Sequence, residues 1–236
     1  MRQAPEAVPT IQSWSKRRDR KNALLAKASS FAKGHIISTG KIVEALETLI
    51  QSGDRVALEG NNQKQADFLS RSLAKVDAKR VHDIHLLISS ISRPEHLDLF
   101  ETGIAHQIDF SYAGPQSLRV AQLLEDKKLK IGAIHTYIEL YARMFADLIP
   151  NVALVCAEKG DPQGNIYTGP NTEDTPTIVE ATAFSQGLVI VQVNEIADTL
   201  PRVDIPASWV DFIVQADKPF TIEPLFTRDP RQINEL

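Results

Sequence analysis

A single cysteine, Cys156, is all the thiol chemistry the chain has, and it excludes an internal disulfide. Its neighbours Val152, Ala153, Leu154 and Val155 mark it as a packed, inert thiol, with no histidine or acid placed beside it for nucleophilic work. A reducing compartment fits this usage. No uninterrupted apolar run is long enough to cross a bilayer, and the amino terminus lacks the charged-then-apolar order of a secretory signal. The expectation is a soluble, cytoplasmic protein with no membrane partner. Global basic excess is missing too: the formal net charge is −4, which argues against sequence-independent nucleic-acid binding. No strand is followed by G-x-G-x-x-G and no G-x-x-x-x-G-K-[ST] occurs, so the common dinucleotide and nucleotide phosphate cradles are set aside. The six histidines, His35, His82, His85, His96, His106 and His135, form no metal motif.

What is present is enough apolar material to bury a substantial core, 43% of 236 residues. Residues 1–13, with Pro5 and Pro9, read as an extended lead-in, and 14–236 as one α/β domain. A local basic stretch follows, in which Lys16, Arg17, Arg18, Arg20, Lys21, Lys27 and Lys33 are opposed only by Asp19. It is a solvated face, a docking patch for an acidic partner, or an organellar targeting segment.

Beyond it, strand and helix signals alternate. Ile42, Ala45, Leu46, Leu49 and Ile50 recur at helical spacing over 41–51, with Gly53 as the stop. A strand over 55–59 leads to a helix over 63–74, whose inner face carries Ala66, Leu69 and Leu73. Further strands are expected over 84–88, 107–112 and 130–134, with helices opening at Pro94 and Pro115; the second turns Leu118, Ala121 and Leu124 inward. Thr136 and Glu139 have capping-box spacing ahead of a helix carrying Tyr137, Tyr141, Phe145 and Leu148 on one face. The runs 152–156 and 188–193 are nearly continuous aliphatic stretches, as expected of central strands covered on both faces. Between them Thr175 caps a helix with Pro176 at its first position and Gly187 at its end, and 209–214 is the last strand. The pattern predicts a three-layer, doubly wound, mostly parallel sheet.

Ligands of such sheets bind beyond the carboxyl ends of the strands, so the residues there are the candidates. Glu59 to Lys64 is the most unusual of these segments. Gly60, Asn61, Asn62 and Gln63 gather amide donors at one point, which suits the oxyanion of an acyl transfer or simply caps the next helix. Gly114, Gly164, Asn165, Gly169, Asn171, Asn194 and Glu195 complete the substrate-binding candidates. The glycine-rich loop that holds four of them, over 158–171, either shapes a substrate channel or forms a tight hairpin held by Gly164 and Gly169. His135 could serve as acid or base, and Glu59 and Glu195 are carboxylates in suitable places, but the sequence assigns no catalytic residue.

Taken together, the run Val56 to Asp67, the loop Gly160 to Ile166 and the run Val203 to Asp211 resemble the malonate decarboxylase alpha-subunit family. The Asp161-x-x-Gly164-Asn165 loop, the turn Gly169-Pro170-Asn171, Val193-Asn194-Glu195 and Ile205-Pro206 followed by Val210-Asp211 resemble CoA-transferases more broadly, citrate lyase alpha subunits and acetyl-CoA hydrolases among them. The resemblance implies a CoA-transferase-like half and a transferase that exchanges malonate for acetate on an acetyl thioester. That thioester would sit on a CoA-like prosthetic group of an acyl carrier protein, so no cofactor binds the chain directly. Such families pair two similar α/β halves, of which this chain resembles the first. The resemblance thus implies as partners the carrier protein, other malonate decarboxylase subunits, the second half and a small carboxylate. Covalent relatives use a glutamate of the second half, so neither Glu59 nor Glu195 inherits that role, and Gly60-Asn61-Asn62 departs from their glycine-dense oxyanion loop. Other readings are a non-catalytic half that docks the carrier through Lys16 to Lys33, another CoA-transferase or acyl-CoA hydrolase activity, and a sugar-phosphate isomerase on the same broad fold.

Overall fold

The first described element, α1 (Trp14–Ala28), is the basic stretch, and it is an internal clamp. Its charges reach the loops at the amino ends of the strands, where carbonyls and carboxylates wait. Arg17 donates to the carbonyls of Ser185 and Pro150, Arg20 pairs with Asp54 at 2.6 Å, and Lys21 holds the Gly187 carbonyl and Asp211, each at 2.9 Å. The docking-patch reading therefore loses Arg17, Arg20 and Lys21, which the fold itself uses, while Lys16 and Arg18 stay exposed. The computed structural model describes residues 14–61 and 63–220, so the lead-in expected over 1–13 lies outside the described residues.

After α1 come β1 (Ala32–Lys33), β2 (Ile36–Ile37), α2 (Ile42–Leu49), β3 (Arg55–Leu58), α3 (Asp67–Leu73), β4 (Ile84–Ser90), α4 (Glu95–Glu101) and β5 (Ala105–Tyr112). The chain continues through α5 (Ser117–Glu125), β6 (Lys130–Ile134), α6 (Tyr137–Ala146), β7 (Val152–Gly160), β8 (Ile166–Tyr167), α7 (Thr175–Phe184), β9 (Leu188–Ile196) and β10 (Phe212–Gln215). One sheet runs β1-β2-β10-β9-β7-β3-β4-β5-β6, with β8 added to β7. Among the described strands every pairing is parallel except β1 with β2 and β7 with β8.

Side chains alternate between two cores, as strand geometry requires. Val56, Leu58, Leu86, Ile88, Leu154 and Ile190 pack under α1 to α5, whereas Ala57, Leu87, Val155 and Val191 pack under α6 and α7. Burial on both faces explains why β7 and β9 read as unbroken aliphatic runs. From β3 the chain winds outward through β4 and β5 to β6 with helices on one face. It then crosses back by α6 to β7, on the other side of β3, and continues to β9 and β10. The winding direction reverses between β3 and β7.

Six local expectations are corrected. In α5 the buried residues are Val120 and Leu123, while Leu118 is 86% exposed; the 3-10 turn Gly114–Gln116 ahead of Ser117 sets the phase that chooses between two apolar stripes. In α6 the inward residues are Leu140 and Met144 rather than the aromatic stripe, with Tyr137 and Phe145 largely exposed. Thr136 does cap this helix, accepting from the Glu139 amide, but the Glu139 carboxylate lies 3.2 Å from His135 instead of closing the box. The α7 helix starts at Thr175 itself, with Asp174 before it, and the first turn expected for α3 is a non-helical loop up to Ala66. Gly187 is needed for space, since a Cβ there would lie 2.6 Å from Thr182 and 2.9 Å from the Asn151 carbonyl; the left-handed residue is Gln186. Among the described residues no helix is long and apolar enough to cross a membrane.

Candidate functional site

Where the winding reverses, Glu59 follows the last residue of β3, and this carboxylate is fully buried. Its backbone amide continues the ladder to Leu154, and its carbonyl accepts from Ala66, so the β3–α3 connection is folded into a tight loop closed by a Gly60–Gln65 bridge. Gly60 is obligatory there: a Cβ would sit 2.3 Å from the Ser90 carbonyl oxygen and 2.4 Å from the Ile88 side chain. Gly60→Ala should therefore cost about 1–3 kcal/mol of stability through overpacking against backbone that cannot yield. Thermal denaturation checks this, and an unchanged midpoint would contradict it.

The loop returns Lys64 into the interior, 1% exposed, toward the same carboxylate. Its Nζ donates to Thr175 Oγ1 and stands 3.7 Å from Glu59 Oε1, and the Thr175 hydroxyl in turn donates to Glu59 Oε1. The other carboxylate oxygen accepts the Cys156 amide at 2.8 Å. A threonine hydroxyl can accept and donate at once, so it links the buried ammonium to the buried carboxylate with both charges satisfied. Burial pushes the Glu59 carboxyl above its ordinary range, against the pull of Lys64, Cys156 and Thr175. Burial also holds the Cys156 thiol far up, which makes it inert.

In front of this buried group lies a cavity of about 440 Å³, bounded by Gln63 and Lys64, by Glu158 of β7, by Thr168, Gly169, Pro170 and Asn171 after β8, by Asn194 and Glu195 of β9, and by Pro219 and Phe220. The volume suits a small organic ligand. Gln63, Gly169, Asn171, Asn194 and Glu195 are thus brought together from three separate segments, as strand-end reasoning asked. Asn194 Oδ1 accepts the Phe220 amide at 3.2 Å, which fixes the side chain with its oxygen engaged and its NH₂ group available. Glu195 is paired with Lys159 at 2.7 Å.

The remaining candidates serve the scaffold. Asn61 Oδ1 accepts the Gln63 amide at 2.9 Å while its NH₂ donates to Glu173, so its side chain is spent on the turn and on the loop ahead of α7. Asn62 lies outside the described residues. Gly114, at φ +49°, packs on the Tyr112 ring in the turn that follows β5. Gly164 and Asn165 build the β7–β8 hairpin, while Gly169, expected to hold such a hairpin, lies beyond it and lines the cavity with Glu158 and Asn171. Gly164 takes φ +103°, and Asn165 bonds Asp161 through its backbone and side-chain nitrogens and accepts the Ala207 amide. Lys64, Thr175, Glu158 and Phe220 were missed, because nothing local distinguishes a buried lysine or threonine from an exposed one.

A second polar cluster lies away from the cavity on the α6 side of the sheet. Asp109 accepts from His85 and His135, each at 2.6 Å, tying β4, β5 and the end of β6 together. Burial pushes the Asp109 carboxyl up, yet the bonds from His135 and His85 outweigh it and hold it below its ordinary value. His135 is thereby a strut rather than a free acid or base at the cavity. Asp174, at the start of α7, accepts from Ser89 and Tyr141, and burial first, then this carboxylate, keep the Tyr141 phenol well above its usual range. Among the described residues no group of His, Cys, Asp and Glu could hold a metal ion.

The chain is similar to known proteins over most of its length. The chain is 50% identical over 217 residues to the acetyl-S-ACP:malonate ACP transferase of Malonomonas rubra, covering 92% of this chain and 39% of that protein. It superposes with a TM-score of 0.90 and 64% identity on a chain of a Pseudomonas malonate decarboxylase hetero-tetramer solved with malonate, covering 95% of this chain and 41% of that one. The glutaconate coenzyme A-transferase of Acidaminococcus fermentans, 15% identical, shares the fold alone, with a TM-score of 0.61 over 77% of this chain and 75% of that one. The chain therefore spans about two fifths of the length of the two relatives it matches by sequence. Residues 13–236 match the family described as malonate decarboxylase, alpha subunit, transporter, and the chain belongs to that family.

Proposed function

We propose that this chain forms one wall of the acyl-thioester pocket of an acyl carrier protein transferase, which exchanges malonate for acetate on an acetyl-S-carrier thioester. Asn194 carries the reading: in the 440 Å³ cavity at the strand tips its amide oxygen is held by the Phe220 amide, so its NH₂ is left as a fixed donor. As a nucleophile adds to a thioester, the carbonyl oxygen gains negative charge, and a preorganised donor lowers that barrier. The buried Glu59–Thr175–Lys64 chain keeps the loop that carries Gln63 in place and brings no net charge into the cavity.

The thioester arrives on a CoA-like prosthetic group of a carrier protein, so the chain binds no cofactor of its own. A second α/β half completes the cleft, and 14–236 is the first of the two. The other malonate decarboxylase subunits surround it in the cytoplasm, where the one buried thiol is at home. In the complete subunit, Asn194→Ala should lower kcat for carrier-thioester exchange about 10²-fold while the fold survives. Steady-state exchange rates with acetyl carrier protein and malonate test this, and an unchanged kcat would remove Asn194 from the chemistry.

A further inference from the structure

The wall of the cavity contributed from farthest along the chain is a strap that follows β10. It is tied down at three points. The Ala216 amide continues the ladder to the Val193 carbonyl at 2.9 Å, Asp217 pairs with Arg71 at 2.9 Å, and the Phe220 amide bonds Asn194 at 3.2 Å. Arg71 is itself held by Asp67 of the same helix at 2.6 Å, so the strap is fastened to α3 as well as to β9. Pro219 restricts the backbone just before Phe220. The half-buried Phe220 side chain packs against the core that lies under α1 to α5, and it also lines the cavity.

Most of the lining side chains end in polar groups, among them Gln63, Lys64, Glu158, Asn171, Asn194 and Glu195, but the surface they leave facing the cavity is mainly apolar. Phe220 is the single aromatic ring among the described lining residues, and the other wholly apolar side chains there are Pro170 and Pro219. A rigid ring anchored through its own backbone amide takes up fixed volume, which polar side chains on loops do not. We propose that Phe220 is a specificity-determining residue that caps the acyl end of the pocket and restricts the acid transferred to one without a branch or extension beyond malonate. This rests on the transferase reading and adds to it a size limit and the residue that sets it.

An acid with one extra methyl group must find room against the ring. One methylene in an apolar pocket changes kcat/KM by about 10- to 200-fold. The test uses the complete subunit with its acetylated carrier protein and compares malonate with methylmalonate as acceptors, in the unmodified enzyme and in Phe220→Ala and Phe220→Trp. Removing the ring should raise the ratio of kcat/KM for methylmalonate over malonate by about 10-fold or more, and enlarging it should lower that ratio. A purely structural role would weaken both acids alike and leave the ratio where it is. Ratios that agree within about twofold across the three proteins would overturn the proposal while leaving the transferase reading intact. An unmodified enzyme that exchanges neither acid would instead refute the transferase reading.

Discussion

Replacing Lys64 by methionine should cost about 3–5 kcal/mol of stability, because it strands a buried carboxylate with its countercharge removed. Methionine fills similar volume, so the loss comes from charge rather than from a void. In the native chain the Lys64 ammonium is joined to Glu59 through the Thr175 hydroxyl, and neither charged group has access to water. The double change Lys64→Met with Glu59→Leu should recover most of the loss, since an apolar pair replaces the ionic one. A pH signature separates this account from simple mispacking. The folded Glu59 carboxyl is held above its ordinary range by burial. Its ionisation therefore opposes folding: the stability it contributes is full below the unfolded carboxyl value and is lost as pH rises toward the folded one. Without Lys64 that opposition grows, so the deficit of Lys64→Met should shrink as pH falls through the carboxylate range. Urea denaturation at several pH values measures it, and a deficit that is independent of pH would contradict the charge explanation.

The second large effect is expected at His96, in the first turn of α4. Its ring is fully buried, and neither nitrogen has a hydrogen-bond partner among the described residues. Burial holds its pKa down to about 3, with Arg93 pulling the same way and Asp67 opposing. The unfolded chain takes up a proton near pH 6.5 that the folded chain refuses. Stability should therefore fall below that pH by about 1.4 kcal/mol per unit, or about 2 kcal/mol by pH 5. His96→Leu removes the titrating group and should flatten this limb, so that the variant gains on the unmodified protein by about 2 kcal/mol between pH 7 and pH 5. Denaturation curves at the two pH values decide it; parallel losses in both proteins would contradict the assignment.

The layering of the fold was legible because burial on both faces leaves a plain mark. Val152–Cys156 and Leu188–Val193 carry almost no polar residue, and a covered parallel strand tolerates little else. Half of the cavity was legible for a topological reason, since strand ends at a winding reversal face a common crevice, and Gln63 lies beyond the end of β3 and Asn194 near the carboxyl end of β9. What stayed hidden depends on partners distant in sequence. Arg17, Arg20 and Lys21 look like a solvated basic face until Pro150, Asp54 and Asp211 are folded against them. Lys64 carries the same letter whether it waves in water or closes a buried charge pair. Asn61 has a donor suited to an oxyanion and spends it on Glu173 while its oxygen accepts within its own turn, and the phase of α5 is set by a single 3-10 turn that no apolar period reveals. Phe220 reaches the cavity only because the chain after β10 doubles back over β9.

The central claim is that the tips of β3, β7 and β9 form a wall of the thioester pocket. Photo-crosslinking tests it most directly: the complete subunit is illuminated with carrier protein whose pantetheine-type arm bears a photoreactive acyl group, and the labelled peptides are sequenced. Labels on Gln63, Glu158, Gly169 to Asn171, Asn194 or Phe220 are the predicted result. Labels confined to the amino ends of the strands, around Arg17, Pro150 and Ser185, would contradict the account.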